Sequence, residues 1–264
     1  MKSIVEMGRS DVSGELIEAY RSEGVVKVPN LISTGCAAEI RKEAVTVAGG
    51  ETTFGDDAYS ARLTQQVNVW RTNEVLKQLT MCPGIAVIAE KLTVCEMRLW
   101  HDHLLSKAPK NGLATEWHQD RPYWPFEGKP ETISAWIALQ DTPCELGCMS
   151  FIPGSHEMDD LPEQNLGDAG SLFSIAPELE YAPKVTMPLK AGDATFHNGR
   201  MAHMATANQT EEWRIAHVII YMQKGTRYSG RPHVVTGDYK HEGGELQPGD
   251  ELTQEWFPCV ADTQ

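Results

Sequence analysis

Between Gly14 and Glu23 the apolar residues Leu16, Ile17, Ala19 and Tyr20 recur at helical spacing, and Gly24 follows as a C-cap, so the pattern predicts a first helix. VVKVPNLI after it reads as a strand. Ser33 to Ala48 predicts a second helix, with Ser33 or Thr34 as N-cap, Ala37, Ala38, Ile40, Ala44 and Val45 as its apolar positions, and Gly49 as its stop. Shorter helices are expected over Glu74–Leu79 and Gly84–Leu92. From residue 93 the apolar period falls to two. VCEMRLWHDHLL, ISAWIALQD, MSFIPGS, VTMPLKAGDATFHNG and WRIAHVIIYMQK all read as strands separated by turn residues. Helices followed by many short strands indicate a mostly β, α+β domain built on a sandwich or barrel. No repeat, low-complexity tract or long linker divides the chain. One domain is expected over 1–264: a helical part to about residue 92, a β core over about 93–225, and a loop-like segment over about 226–264 placed to cover a cavity mouth as a lid.

The chain has 264 residues, with 23 Lys+Arg against 37 Asp+Glu and a net charge of −14. That balance disfavours nucleic acid and anionic lipid as partners, because phosphate binding draws on clustered Lys and Arg. No window of 18 apolar residues is present and the N-terminus lacks the apolar core of a signal peptide, so neither a membrane span nor secretion is expected. A cytoplasmic protein is the reading that follows. The six cysteines are scattered; their one close pair, Cys144 and Cys148, has no second pair to complete a zinc site, and reduced thiols are expected. A small molecule is the default partner. The sequence sets no oligomeric state.

Candidate chemistry begins at Trp117-His118-Gln119-Asp120. On a strand, residues i and i+2 share a face, so His118 and Asp120 project side by side as two of three metal ligands. Alone, such a pair occurs often by chance. The segment Gly192–His203 adds His197 and His203, and Arg214 opens the strand whose Arg214, Ala216, Val218 and Ile220 share one face. Two imidazoles and one carboxylate form the facial triad of non-haem Fe(II) oxygenases, which leaves coordination positions open. An Arg on an otherwise apolar inner face needs a carboxylate partner, and its planar fork suits one.

With these residues in place, the chain resembles the phytanoyl-CoA dioxygenase family of Fe(II)/2-oxoglutarate-dependent oxygenases. The likeness is carried by Tyr20–Val26, Lys107-Ala108-Pro109, Trp117–Tyr123, Gly147–His156 (GCMSFIPGSH) and Arg214 with the strand after it, over about 200 of the 264 residues. The resemblance implies a double-stranded β-helix, or jelly roll, supported by N-terminal helices, with Fe(II) as cofactor and 2-oxoglutarate and O2 as co-substrates. It matches His118, Asp120 and His203 to the iron ligands. His197 competes with His203, but Arg214 lies eleven positions after His203, as the family requires, so His197 becomes a pocket residue near the metal. Arg214 matches the partner of the distal 2-oxoglutarate carboxylate. Gln119, Trp136 and His103 match positions near the co-substrate, with Lys107 as a further cation there. On composition alone Trp136 reads as a packed core aromatic. The family offers a small hydroxyl residue two positions after the distal histidine; here that position is Ala205, with Thr206 beside it.

Asp120 stands where related halogenases have a small residue, so hydroxylation or another oxidation of an unactivated C–H bond is expected, with release of succinate and CO2. Tyr123, Trp124 and Phe126 are read as a substrate wall beside the triad. Arg227 and Arg231 are candidate contacts for an anionic substrate. The charge of −14 suits a coenzyme A thioester poorly, so a free small molecule, such as a secondary metabolite or an amino-acid-like compound, is expected. His101, His156, His217, His233 and His241 read as structural. The competing readings are a catalytically silent jelly-roll binding module and a cupin-type metal hydrolase.

Overall fold

The computed structural model describes residues 12–48 and 60–262, so Gly49 lies outside the described residues. Helix α1 (Gly14–Glu23) begins at Ser13, whose hydroxyl accepts the Leu16 N–H, and ends at Gly24, where φ is 77° and the N–H donates to the Tyr20 carbonyl. Helix α2 (Thr34–Ala48) is opened by the Ser33 hydroxyl, which accepts the Cys36 N–H at 3.2 Å. Asn73 caps α3 (Glu74–Thr80), and Pro83 starts α4 (Pro83–Thr93) with the fixed φ that a first helical position favours. All four fall where the apolar spacing puts them.

The strands form two antiparallel sheets. One holds β1 (Val25–Val28), β8 (Ala194–Asn198), β5 (Thr132–Ala138), β10 (Arg214–Gln223), β3 (Met97–Lys107) and β2 (Thr64–Val67) in that spatial order; the other holds β4 (Thr115–His118), β9 (His203–Ala205), β6 (Met149–Phe151) and β7 (Val185–Met187). This is the jelly roll. Alternation divides β10 between two apolar layers: Ile215, Ile219 and Tyr221 pack with the helices, while Ala216, Val218, Ile220 and Met222 join Trp136, Met149 and Phe151 between the sheets. Because both faces of the large sheet are covered, β5 is buried along its whole length, and each large side chain so enclosed contributes roughly 1.5–3 kcal/mol. That rigid platform carries the site.

Some expected boundaries differ for local reasons. Strand β1 stops at Val28, before Pro29 and the left-handed Asn30. The stretch 185–199 is two strands in different sheets, broken at Pro188 and at Gly192, whose φ is +91° and where a Cβ would lie 2.2 Å from the Ile32 carbonyl oxygen. Strand β2 (TQQV) has no signature in the sequence, because two glutamines at a sheet edge give no apolar alternation. The segment after residue 225 is more than a loop: it contains helix α7 (Val234–His241) and packs Phe257 against Trp100, with ring centres 5.3 Å apart. Two short helices, α5 (Ser171–Ile175) and α6 (Glu178–Tyr181), precede β7. Arg231 is committed to Glu163 and to the Pro122 and Trp124 carbonyls, and Arg227 donates to the Gly249 carbonyl.

On the helix side of the large sheet, Thr80 donates to Asp102 at 2.7 Å and lies 2.8 Å from His217 Nε2, while the Trp70 N–H donates to the same carboxylate. Asp102 and His217 are completely buried. Burial pushes Asp102 up to about 7 and His217 down to about 3. This network is structural and faces away from the cavity.

Candidate metal centre

Strands β4 and β9 bring His118 directly opposite His203, with ring centres 4.3 Å apart. Nδ1 of His118 lies 2.6 Å from the Glu116 carbonyl oxygen, and Nδ1 of His203 lies 2.9 Å from that of Met201. Each ring therefore donates from Nδ1 to a carbonyl two residues upstream. That fixes the tautomer and leaves the Nε2 lone pair directed into the site. Asp120 is not on the strand that the i, i+2 argument assumed. It sits beyond the end of β4, with φ −76° and ψ −39°, at the start of the 3-10 turn Arg121–Tyr123. The turn still swings its carboxylate back, and Oδ1 lies 3.6 Å from His118 Nε2 and 3.7 Å from His203 Nε2.

Those separations are longer than hydrogen bonds. Three acceptor atoms, all within 4.8 Å of one another, face a common point where a cation would satisfy them together. Two nitrogens and one carboxylate oxygen on one face suit Fe(II). Burial pushes His118 down to about 4 and lowers His203 as well; burial works against the Asp120 carboxylate, yet His203, His197 and His118 around it hold its pKa below the usual range. All three are thereby in the protonation state that a metal requires at neutral pH. His197 lies beside this group: its Nε2 is 3.8 Å from Asp120 Oδ2, and neither ring nitrogen has a hydrogen-bond partner among the described residues.

The triad opens on a cavity between the sheets that is lined by residues of both. Arg214, 1% exposed, lies on this wall with its guanidinium 5.6 Å from the centre of the Trp136 ring. Tyr123, Trp124, Trp136, His103 and His197 line the same space. Three expected lining residues do not. Gln119, lying between two site-facing residues, turns to the other side and donates to the Arg200 carbonyl at 2.7 Å, tying the His118 loop to the turn before His203. Lys107 donates to the carbonyls of Leu113, Ala205 and Thr206, so its ammonium braces β9 instead of facing a ligand. Phe126 packs edge-on against Trp100 with ring centres 4.8 Å apart, behind the wall that Trp124 provides.

His101 on β3 and His233 before α7, which the sequence presents as structural, also reach the cavity, as do Gln65 and Val67 on β2. The available signal was His101 and His103 at i and i+2. It was obscured by a bulge, since β10 skips Trp100 between its partners Leu99 and His101. Burial holds His101 at about 4 and His233 at about 3 and lowers His103. Such rings stay neutral in the fold, whereas in the unfolded chain they take up protons once the pH drops below about 6.5, so stability falls with pH below that point. Asp102, with its raised value, acts in the opposite sense and offsets about one of them. For metal-free protein, roughly 1–2 kcal/mol per buried histidine is expected to be lost between pH 7 and 5. A Tm that stays constant over that interval contradicts this.

The profile of the phytanoyl-CoA dioxygenase family matches residues 20–216, and the chain belongs to that family. Among relatives, the peroxisomal phytanoyl-CoA dioxygenase of Rattus norvegicus is 24% identical over 230 residues, covering 79% of this chain and 68% of that enzyme. The α-ketoglutarate-dependent carbocyclase SnoK from nogalamycin biosynthesis superposes with a TM-score of 0.83 at 32% identity, covering 96% of this chain and 98% of SnoK. The epimerase SnoN, solved with Fe3+, α-ketoglutarate and nogalamycin RO, gives a TM-score of 0.78 at 32% identity, covering 92% and 96%. The chain is thus an iron- and 2-oxoglutarate-dependent oxygenase acting on a small molecule. Neither a silent binding module nor a hydrolase is favoured. Among the described residues no helix is long and apolar enough to cross a membrane.

Proposed function

We propose that His118, Asp120 and His203 hold Fe(II), that Arg214 anchors the distal carboxylate of 2-oxoglutarate with Trp136 and His103 beside it, and that the protein oxidises an unactivated C–H bond of a free secondary metabolite. The observation that carries this is the convergence of three ligand atoms within 4.8 Å on the cavity that Arg214 also lines. When bound, iron with 2-oxoglutarate and O2 supplies the oxidising power, and the co-substrate leaves as succinate and CO2. The chain's own residues hold the ligand geometry through the Glu116 and Met201 carbonyls, keep both imidazoles deprotonated at Nε2, and present a largely apolar wall. His197, buried beside Asp120, borders the space where the reacting carbon must sit. Hydroxylation is one outcome; the names of SnoK and SnoN, a carbocyclase and an epimerase, favour ring closure or stereochemical inversion as others from the same start.

The mammalian relatives are named for a coenzyme A thioester. Against such a substrate here stand the charge of −14 and the commitment of Arg231 to Glu163 and two carbonyls. Tyr123, Trp124, Val218 and Ile220 line a compact space suited to a mainly apolar molecule with few polar groups. Succinate release should therefore be stimulated by free natural-product intermediates and not by acyl-CoA thioesters. Thioesters that stimulate turnover where their free acids do not contradict the substrate reading. Chlorination is not expected even in excess chloride, because Asp120 occupies the place a halide would need. The free cysteines suit a cytoplasmic setting.

A further inference from the structure

The close pair Cys144 and Cys148 takes no part in the site described above. Between them the chain turns through the 3-10 segment Cys144–Leu146 and Gly147, whose N–H donates to the Cys144 carbonyl, and the turn brings the two sulfurs to 3.6 Å. A disulfide bond is about 2.05 Å long, so closure draws the sulfurs together by about 1.5 Å. Cys144 is exposed, while Cys148 is 1% exposed. Burial, and then the neighbouring Cys144 side chain, push the Cys148 thiol up, so it stays protonated and its S–H donates to the Cys144 sulfur. One sulfur therefore meets solvent, and the other lies directly behind it.

The turn is also tied to the wall of the cavity. Thr206 Oγ1 donates to the Cys144 carbonyl at 2.7 Å, the Thr206 N–H to the Cys148 carbonyl at 3.0 Å and the Gln209 N–H to the Glu145 carbonyl at 2.7 Å, so the turn holds the chain leaving β9 at three points. Gly147 packs so closely that a Cβ there would lie 3.0 Å from the Thr206 carbonyl oxygen and 3.7 Å from Arg214 Nε. Any shift of the turn is passed to the strand end beside Arg214.

We propose that Cys144 and Cys148 form a dithiol that hydrogen peroxide closes to a disulfide, and that closure loosens the Arg214 anchor. The second half rests on the co-substrate site proposed above; the disulfide itself does not. In the first step the Cys144 sulfur attacks one peroxide oxygen, the O–O bond breaks, and the other oxygen leaves as water with the Cys144 proton, giving a sulfenic acid. The Cys148 sulfur then attacks the Cys144 sulfur, the S–O bond breaks, and the hydroxyl leaves as a second water with the Cys148 proton. Two electrons pass from the sulfur pair to the peroxide, and a thiol reductant reverses the change.

The test treats the full-length protein with hydrogen peroxide before iron is added, so that iron cannot consume the oxidant, then removes the peroxide and maps the peptides by mass spectrometry. An intramolecular Cys144–Cys148 bond that dithiothreitol reverses is expected. Loaded anaerobically with Fe(II), the oxidised protein is expected to bind 2-oxoglutarate roughly 10- to 100-fold more weakly than the reduced protein, the effect of one misaligned hydrogen bond to a charged group, with iron content unchanged. Cys144→Ser, a change at an exposed position, is expected to bind 2-oxoglutarate equally well before and after peroxide. Cys148→Ser is expected to stop at the sulfenic acid, which dimedone traps. Treated wild-type protein in which both thiols stay free, or in which the bond joins other cysteines, overturns the proposed site. A Cys144–Cys148 disulfide with unchanged 2-oxoglutarate affinity overturns the coupling to Arg214. Reduced protein that shows no charge-transfer band at all contradicts the co-substrate site itself, a separate outcome.

Discussion

Alanine in place of His118, Asp120 or His203 is expected to abolish stoichiometric iron binding and, with it, all turnover. Each supplies one of three atoms that lie within 4.8 Å of one another, and each histidine is oriented by a carbonyl bond of its own. Loss of an outer partner of a metal ligand typically costs 10- to 100-fold in affinity, and loss of a ligand itself should exceed that. His197→Ala is the informative control. Its ring lies 4.9 Å from that of His203 but outside the group of three, so the variant should keep its iron. Iron retained at full stoichiometry in His203→Ala and lost in His197→Ala would sink the ligand assignment.

Arg214→Leu is expected to raise the 2-oxoglutarate requirement by roughly 10²- to 4 × 10³-fold while sparing iron. Removing one partner of a buried carboxylate pair costs on the order of 3–5 kcal/mol, and every 1.4 kcal/mol is tenfold. Arg214 is 1% exposed at the start of β10, so water cannot take over its role, and it is not one of the three clustered ligand residues. Lys107 cannot stand in either, since three carbonyls occupy its ammonium. Unchanged 2-oxoglutarate affinity in this variant contradicts the placement of the anchor.

Much of this was legible in the sequence because the signals were local. Helices α1 to α4 are legible through apolar spacing and caps, and β5 and β10 through the fall of the apolar period to two and the turn residues between the strands. His118, Asp120, His203 and Arg214 were readable from residue type and spacing once the family resemblance fixed the order. The cavity wall was not. His101 depends on a bulge that re-aims β3, β2 on an edge strand without apolar alternation, and His233 on a C-terminal segment that folds back over the sheets. Lys107, Gln119 and Phe126 show the converse. Their chemical type suits a site, yet their side chains were taken by carbonyls or core packing that only the folded chain reveals.

The most direct test is the visible spectrum of anaerobic protein given Fe(II) and then 2-oxoglutarate. A weak charge-transfer band that appears only with both, at one iron per chain, and that is lost in Asp120→Ala is the expected result. Iron that binds without any such band when 2-oxoglutarate is added would contradict an oxygenase site built on His118, Asp120, His203 and Arg214.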